Sequence, residues 1–101
     1  MLKNFKIYQL AKTLYHSCQK IKAPSHLKDQ LLRASSSVVL NLSEGSGKET
    51  NKDKKKYFVI AFGSIRETSA ILDLLSVQDT ELLNLLDKTS AHLFKLIQYY
   101  K

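Results

Sequence analysis

Breaks are what this chain lacks. Its 101 residues include one proline, Pro24, and three glycines, Gly45, Gly47 and Gly63. Between the breaks lie four long segments whose apolar residues are mostly leucine. Too few turn formers remain for a many-turned β-fold, and the composition favours helices. The first segment runs from about Asn4 to Lys22. In it Ile7, Leu10, Ala11, Leu14, Cys18 and Ile21 recur at alternating steps of three and four, the spacing of one helix face. Pro24 ends it, and Ser25 is placed to cap the next helix. The second segment, from about His26 to Glu44, carries Leu27, Leu31, Ala34, Val38 and Asn41/Leu42 on one stripe. Gly45 is the natural residue to close it in a left-handed conformation. The third, from about Asn51 to Ser76, opens with charge and is apolar around most of its circumference from Tyr57 onward. The fourth begins at Asp79 or Thr80, either a good N-cap, and presents Leu82, Leu83, Leu86, Leu93, Leu96, Ile97 and Tyr100. Short connections make neighbouring helices antiparallel. The expected fold is all-α, an antiparallel up-down four-helix bundle forming one domain over residues 1–101.

Little in the chain points to catalysis or to a cofactor. Gly45-Ser46-Gly47-Lys48 invites a phosphate-loop reading, but Leu42 stands where that motif needs glycine and Glu49 where it needs Ser or Thr. A helix rather than a strand precedes it. His16 and Cys18 are two apart on a helix and cannot share a metal; His26 and His92 have no neighbour at ligand spacing. Ser35-Ser36-Ser37 has no histidine at local helical spacing and reads as a close-packing surface. Glu67 and Asp73 are too far round a helix to work as an acid–base pair. No cofactor, metal site or enzymatic activity is expected. The single cysteine fits a reducing, cytoplasmic setting. The start of the chain lacks a signal-peptide pattern, and no apolar run reaches the ~20 residues of a membrane span.

Charge is unevenly placed. The formal net charge is +7. Residues 1–56 carry twelve Lys/Arg against four Asp/Glu, and residues 57–101 carry four against five. A basic half joined to a near-neutral half points to a polyanionic partner. Apolar surface is also in excess. A bundle helix uses about three positions in seven for its core. Phe62, Phe94, Tyr99, Leu74 and Leu85 fall partly off the required stripes, as do Phe5, Tyr8 and Tyr15. Phe5, Tyr8, Tyr15, Phe62, Phe94 and Tyr99 are therefore candidates for an oligomer interface.

Two residues sit where local physics disfavours them. Asn41 occupies a stripe position suited to an apolar side chain. Glu44 lies in the last turn of a helix, where the dipole opposes an anion. Both call for tertiary partners. Ser64 with Arg66 or Glu67 on the third segment could supply them, forming a polar cluster inside the bundle with Asn41 and Glu44. The run Arg33-Ala34-Ser35-Ser36-Ser37-Val38-Val39-Leu40-Asn41-Leu42-Ser43-Glu44-Gly45 also resembles the signature of the bacterial four-helix bundle proteins related to the 23S rRNA intervening-sequence protein, often labelled "S23 ribosomal protein". The resemblance takes in Phe5–Ala11, Lys28–Arg33 and Ala61–Glu67, and so covers residues 5 to about 75. It implies a closed bundle assembling as a ring, commonly a homopentamer. A related group, the accessory protein of diversity-generating retroelements, binds nucleic acid and reverse transcriptase through a basic surface. The chain departs from the pattern at Arg66 and Thr68, and its fourth helix is only loosely similar.

Two functions follow as expectations. In the first, Lys48, Lys52, Lys54, Lys55 and Lys56 contact the phosphates of structured RNA or DNA, with Lys3, Lys6, Lys12, Lys20, Lys22 and Lys28 as a broader surface. No aromatic residue interleaves with Lys48–Lys56, which favours backbone over base recognition. In the second, the bundle is a scaffold or docking ring, its lysines serving only solubility.

Overall fold

The computed structural model describes residues 5–100. Four helices account for most of them: α1 over Lys6–Gln19, α2 over Ser25–Ser46, α3 over Asn51–Leu74 and α4 over Thr80–Tyr99. The molecule is 40 Å long, close to the ~36 Å that a 24-residue helix spans, so the bundle is one helix long. α2 packs most extensively on α3; α1 bridges α2 and α4, and α4 returns to α3. Contacts along each seam run in opposite order. Ser46 meets Lys54, Gly45 meets Phe58, and Ser37 meets Ser64. Phe58 meets Tyr100 while Phe62 meets Phe94. Both pairs of helices are therefore antiparallel, and the bundle is up-down.

The expected stripes supply the core. Ile7, Ala11, Leu14 and Cys18 of α1 face Leu31, Ala34, Val38 and Leu42 of α2 across a continuous apolar interior. α3 adds Phe58, Ala61, Ile65, Ile71 and Leu72, and α4 adds Leu82, Leu86 and Leu93. Three buried hydroxyl residues interrupt this set without cost, because each bonds a carbonyl one turn back: Ser35 to Leu31, Thr68 to Ser64 and Thr89 to Leu85.

The helix ends differ from expectation in instructive ways. Pro24, not Ser25, occupies the cap position of α2, and its carbonyl accepts from Leu27 and Lys28. Ser25 is already helical and its side chain caps nothing. Thr50 caps α3 by accepting from the Asp53 amide, and Asp79 caps α4 by accepting from the Leu82 amide. α3 ends in a Schellman motif: Val77 N–H bonds the Leu72 carbonyl and Ser76 N–H bonds that of Asp73. The left-handed residue this needs is Ser76, at φ 55°.

Gly45 is the principal correction. It does not end α2 in a left-handed conformation; it lies within the helix, buried. A Cβ there would stand 2.7 Å from Cε1 of Phe58 and 3.1 Å from Cβ of Tyr57. Phe58 cannot easily yield, since it is buried with Phe5 at 6.5 Å and Tyr100 at 5.6 Å between ring centroids. Glycine is needed here for close approach of α3, while the actual cap, Gly47, has ordinary right-handed angles.

Two stability outcomes follow. Gly45→Ala destabilises by about 1–3 kcal/mol through overpacking. Gly47→Ala, where a Cβ would meet nothing nearer than 3.7 Å, is stabilising by about 0.4–1 kcal/mol. Urea denaturation of the two variants measures both. Cys18 gives the second. Burial pushes its thiol from 9.0 up to about 11, against weaker opposing effects of the Ser35 hydrogen bond and the Lys28 charge. The folded value is the higher one, so this contribution to stability is complete below pH 9.0 and is lost as pH rises toward about 11. Relative to Cys18→Ala, the wild-type unfolding free energy falls across that window by up to ~1.4 kcal/mol per pH unit. Parallel pH profiles for the two proteins would contradict this.

Candidate nucleic-acid interface

The lysines of the central basic run divide by what they touch. Lys54, in the first turns of α3, donates to the Ser46 carbonyl at 3.2 Å. It thereby places a cation on the carbonyl end of α2, where the helix dipole favours one. Lys28 does the same one connection earlier: from the first turns of α2 it donates to the carbonyls of Gln19, at 2.8 Å, and Ile21. Each is the fourth residue of its helix and caps the helix before it. Lys48 is 3.2 Å from Glu44 one turn back, and that carboxylate holds its ammonium above the usual lysine range. These three lysines are thus engaged by the protein itself.

Lys52, Lys55 and Lys56 are different. No ion pair or hydrogen bond joins any of them to another side chain among the described residues. Together with Val59 and Ile60 they line one shallow groove on the outward side of α3. Tyr57 lies beside them, half-buried, with the ammoniums of Lys48 at 5.1 Å and Lys56 at 5.8 Å from its ring centroid. No aromatic interleaves with Lys48–Lys56 in sequence, but the ring of Tyr57, the residue after the run, stands beside the basic cluster. It is already engaged by cations, a cation–π arrangement.

The broader lysine surface does not form one patch. Phe5 meets Phe58, so the start of α1 and the start of α3 share one end of the bundle, with Lys6 exposed there. Lys20 and Lys22 follow the end of α1 and sit at the opposite end. Lys12 is exposed midway along α1, in a groove with Tyr15, His16, Val39 and Leu40. Lys3 lies outside the described residues.

The polar motif is smaller than expected. Asn41 donates to the Ser37 carbonyl at 2.9 Å and to its hydroxyl at 3.0 Å. The Ser37 and Ser64 hydroxyls are 2.8 Å apart. A chain of three polar side chains thus stitches α2 to α3. Glu44 is not part of it. Its side chain is exposed and pairs with Lys48, which removes any need for the costly burial of a carboxylate. Arg33, Arg66 and Glu67 are exposed as well, because the core face of α3 passes through Ala61, Ile65 and Thr68.

The proposed interface aromatics also separate. Phe5 packs on Phe58 and Phe62 on Phe94, at 6.1 Å. Tyr8 and Tyr15 are half-buried. Phe94 and Tyr99 remain open to solvent, as do Leu40, Val59, Ile60 and Leu74. Val59 and Ile60 were not separable in the sequence, where they belong to an unbroken apolar run. His16 bonds Gln19 and Ser36 bonds the Arg33 carbonyl, so the serine run and its nearest histidine act apart. Among the described residues no group of three or more His, Cys, Asp or Glu could hold a metal ion, and no helix is long and apolar enough to cross a membrane.

The sequence model of the 23S rRNA-intervening sequence protein family matches residues 3–98, and the chain belongs to that family. No curated protein and no solved structure matches it.

Proposed function

We propose that this member of the 23S rRNA-intervening sequence protein family is a non-enzymatic, basic oligomer that binds structured nucleic acid, RNA foremost, through the outward side of α3. The observation that carries the reading is the trio Lys52, Lys55 and Lys56. Three ammoniums within little more than one helical turn lack a counter-ion among the described residues, and phosphates are the ligand that such a trio suits. The family's name, taken from an insertion in ribosomal RNA, is in keeping with RNA as the polyanion. Tyr57 is engaged by lysines, which supports recognition of backbone and shape over base stacking.

Self-association belongs to the same reading. Val59 and Ile60 are 49% and 44% exposed and line one groove together, and contiguous apolar surface of this kind favours a second protein surface. A homopentameric ring would repeat the lysine trio around its axis and convert weak patches into strong binding by avidity. A reverse transcriptase or other protein could dock on such a ring.

Binding to a structured RNA and to duplex DNA, followed across salt, tests the proposal. Three duplex phosphates contacted per protomer correspond to a slope of log K against log salt of about −2.7. Replacing Lys52, Lys55 and Lys56 with Glu, while leaving the α2 cap Lys54 intact, is expected to weaken binding at least tenfold. A flat salt response or undiminished affinity overturns the nucleic-acid reading. For assembly, light scattering is expected to give a whole multiple of five times the 11.5 kDa chain mass; any other particle rules out the ring.

A further inference from the structure

The outward face of α3 has no partner in the bundle. Lys52, Lys56, Val59, Gly63, Ala70 and Leu74 follow one another along it at helical spacing, and each is exposed. Val59 is 49% exposed and Leu74 71%. At Gly63 an added Cβ would meet nothing within 4 Å. Inside a helix glycine is unfavourable relative to alanine, and no neighbour within this molecule requires it there, in contrast to Gly45.

Charge along this face is divided by that glycine. Lys52, Lys55 and Lys56 lie on its N-terminal side, with one exposed anion, Asp53, at the margin; exposed Glu67 and Asp73 lie on its C-terminal side, with one cation, Arg66, close to the centre. Gly63 is midway between Lys52 and Leu74, between Lys56 and Ala70, and between Val59 and Glu67. A face with this arrangement is complementary to itself when reversed. We propose that two copies of the protein pair through it, their α3 helices antiparallel about a two-fold axis at Gly63.

In that pair Lys52 of each copy faces Leu74 and Asp73 of the other, and Lys56 faces Ala70 with Glu67 within reach of its side chain. Val59 of each copy lies opposite Glu67 of the other, against the methylenes of that side chain, and the two glycines meet where the backbones come closest, as small residues allow at a helix crossing. A parallel pair would set lysine against lysine. Such a contact is isologous and closes on itself. It joins single chains into pairs, or two rings face to face. It also covers Lys52 and Lys56, so a second copy and a polyanion would compete for one surface. The pairing does not depend on nucleic-acid binding, and its test contains no nucleic acid.

The measurement is solution mass by light scattering at low salt. Gly63→Leu puts a bulky side chain at the crossing and into open space within the monomer. It is expected to keep the helical circular dichroism and to halve the particle mass, whatever the number of chains in the original particle. K52E and D73K are each expected to weaken association at least tenfold, by setting like charges together. Mixing those two variants restores it, because each then supplies the charge the other lacks. An unchanged mass for Gly63→Leu, or no reassociation on mixing, overturns the pairing.

Discussion

The fit of Phe58 against Gly45 is the contact on which the rest of the bundle depends. With no side chain on Gly45, α3 approaches α2 closely enough for Phe58 to become fully buried. That ring then anchors the end of the bundle, since Phe5 ahead of α1 and Tyr100 at the end of α4 both close on it. All four helices thus meet one side chain or its immediate neighbours. The same close approach brings Ser37 to within 2.8 Å of Ser64 further along the seam. A wider spacing would break that one inter-helix bond, leaving Asn41 on Ser37 within α2 and Ser64 on the Ile60 carbonyl within α3. The small residues and the polar stitch are therefore one device: the first sets the distance, and the second marks the register with a bond that forms only at that distance.

Close packing at one end of α2 also explains what happens to the charge. The connection from α2 to α3 is short, so the beginning of α3 lies beside the carbonyl end of α2. Lysines in the first turns of a helix oppose its own dipole. For Lys54 that disadvantage is offset by the negative end of the preceding helix, and Lys28 stands in the same relation to α1. A basic run that reads as a single patch in sequence is thereby split. Part of it holds the bundle's corners, and Lys52, Lys55 and Lys56 are left without an anion among the described residues.

The helices were legible because the core repeats at three and four, and periodicity is a property of the local sequence. Asn41 was legible for the same reason: a polar side chain on an apolar stripe announces a partner. Gly45 was not. A glycine near a helix end is equally consistent with a left-handed cap and with close packing, and the residue that decides between them, Phe58, belongs to the next helix. Ser76 gave no sign of its left-handed conformation, because the Schellman bonds that hold it there depend on Val77 packing against the core. Glu44 failed as an internal partner because Lys48, one turn away, satisfies it at the surface. In each case the local pattern stated a need, and tertiary neighbours determined how it was met.

Segment three carried the least periodic information and holds the most surface of functional interest. From Tyr57 to Phe62 every residue is apolar, so no stripe distinguishes inside from outside. The structure turns Phe58 and Ala61 inward and Val59 and Ile60 outward. A helix with apolar residues on opposite sides must either expose one side or bury both. The inner side is matched to α2 by Gly45; the outer side carries Gly63, where an added Cβ would meet nothing within 4 Å. Two glycines, one packed against Phe58 and one open, thus mark the inner and the outer side of α3. Its lysines and its apolar residues share that face, so whatever covers the one must also accommodate the other.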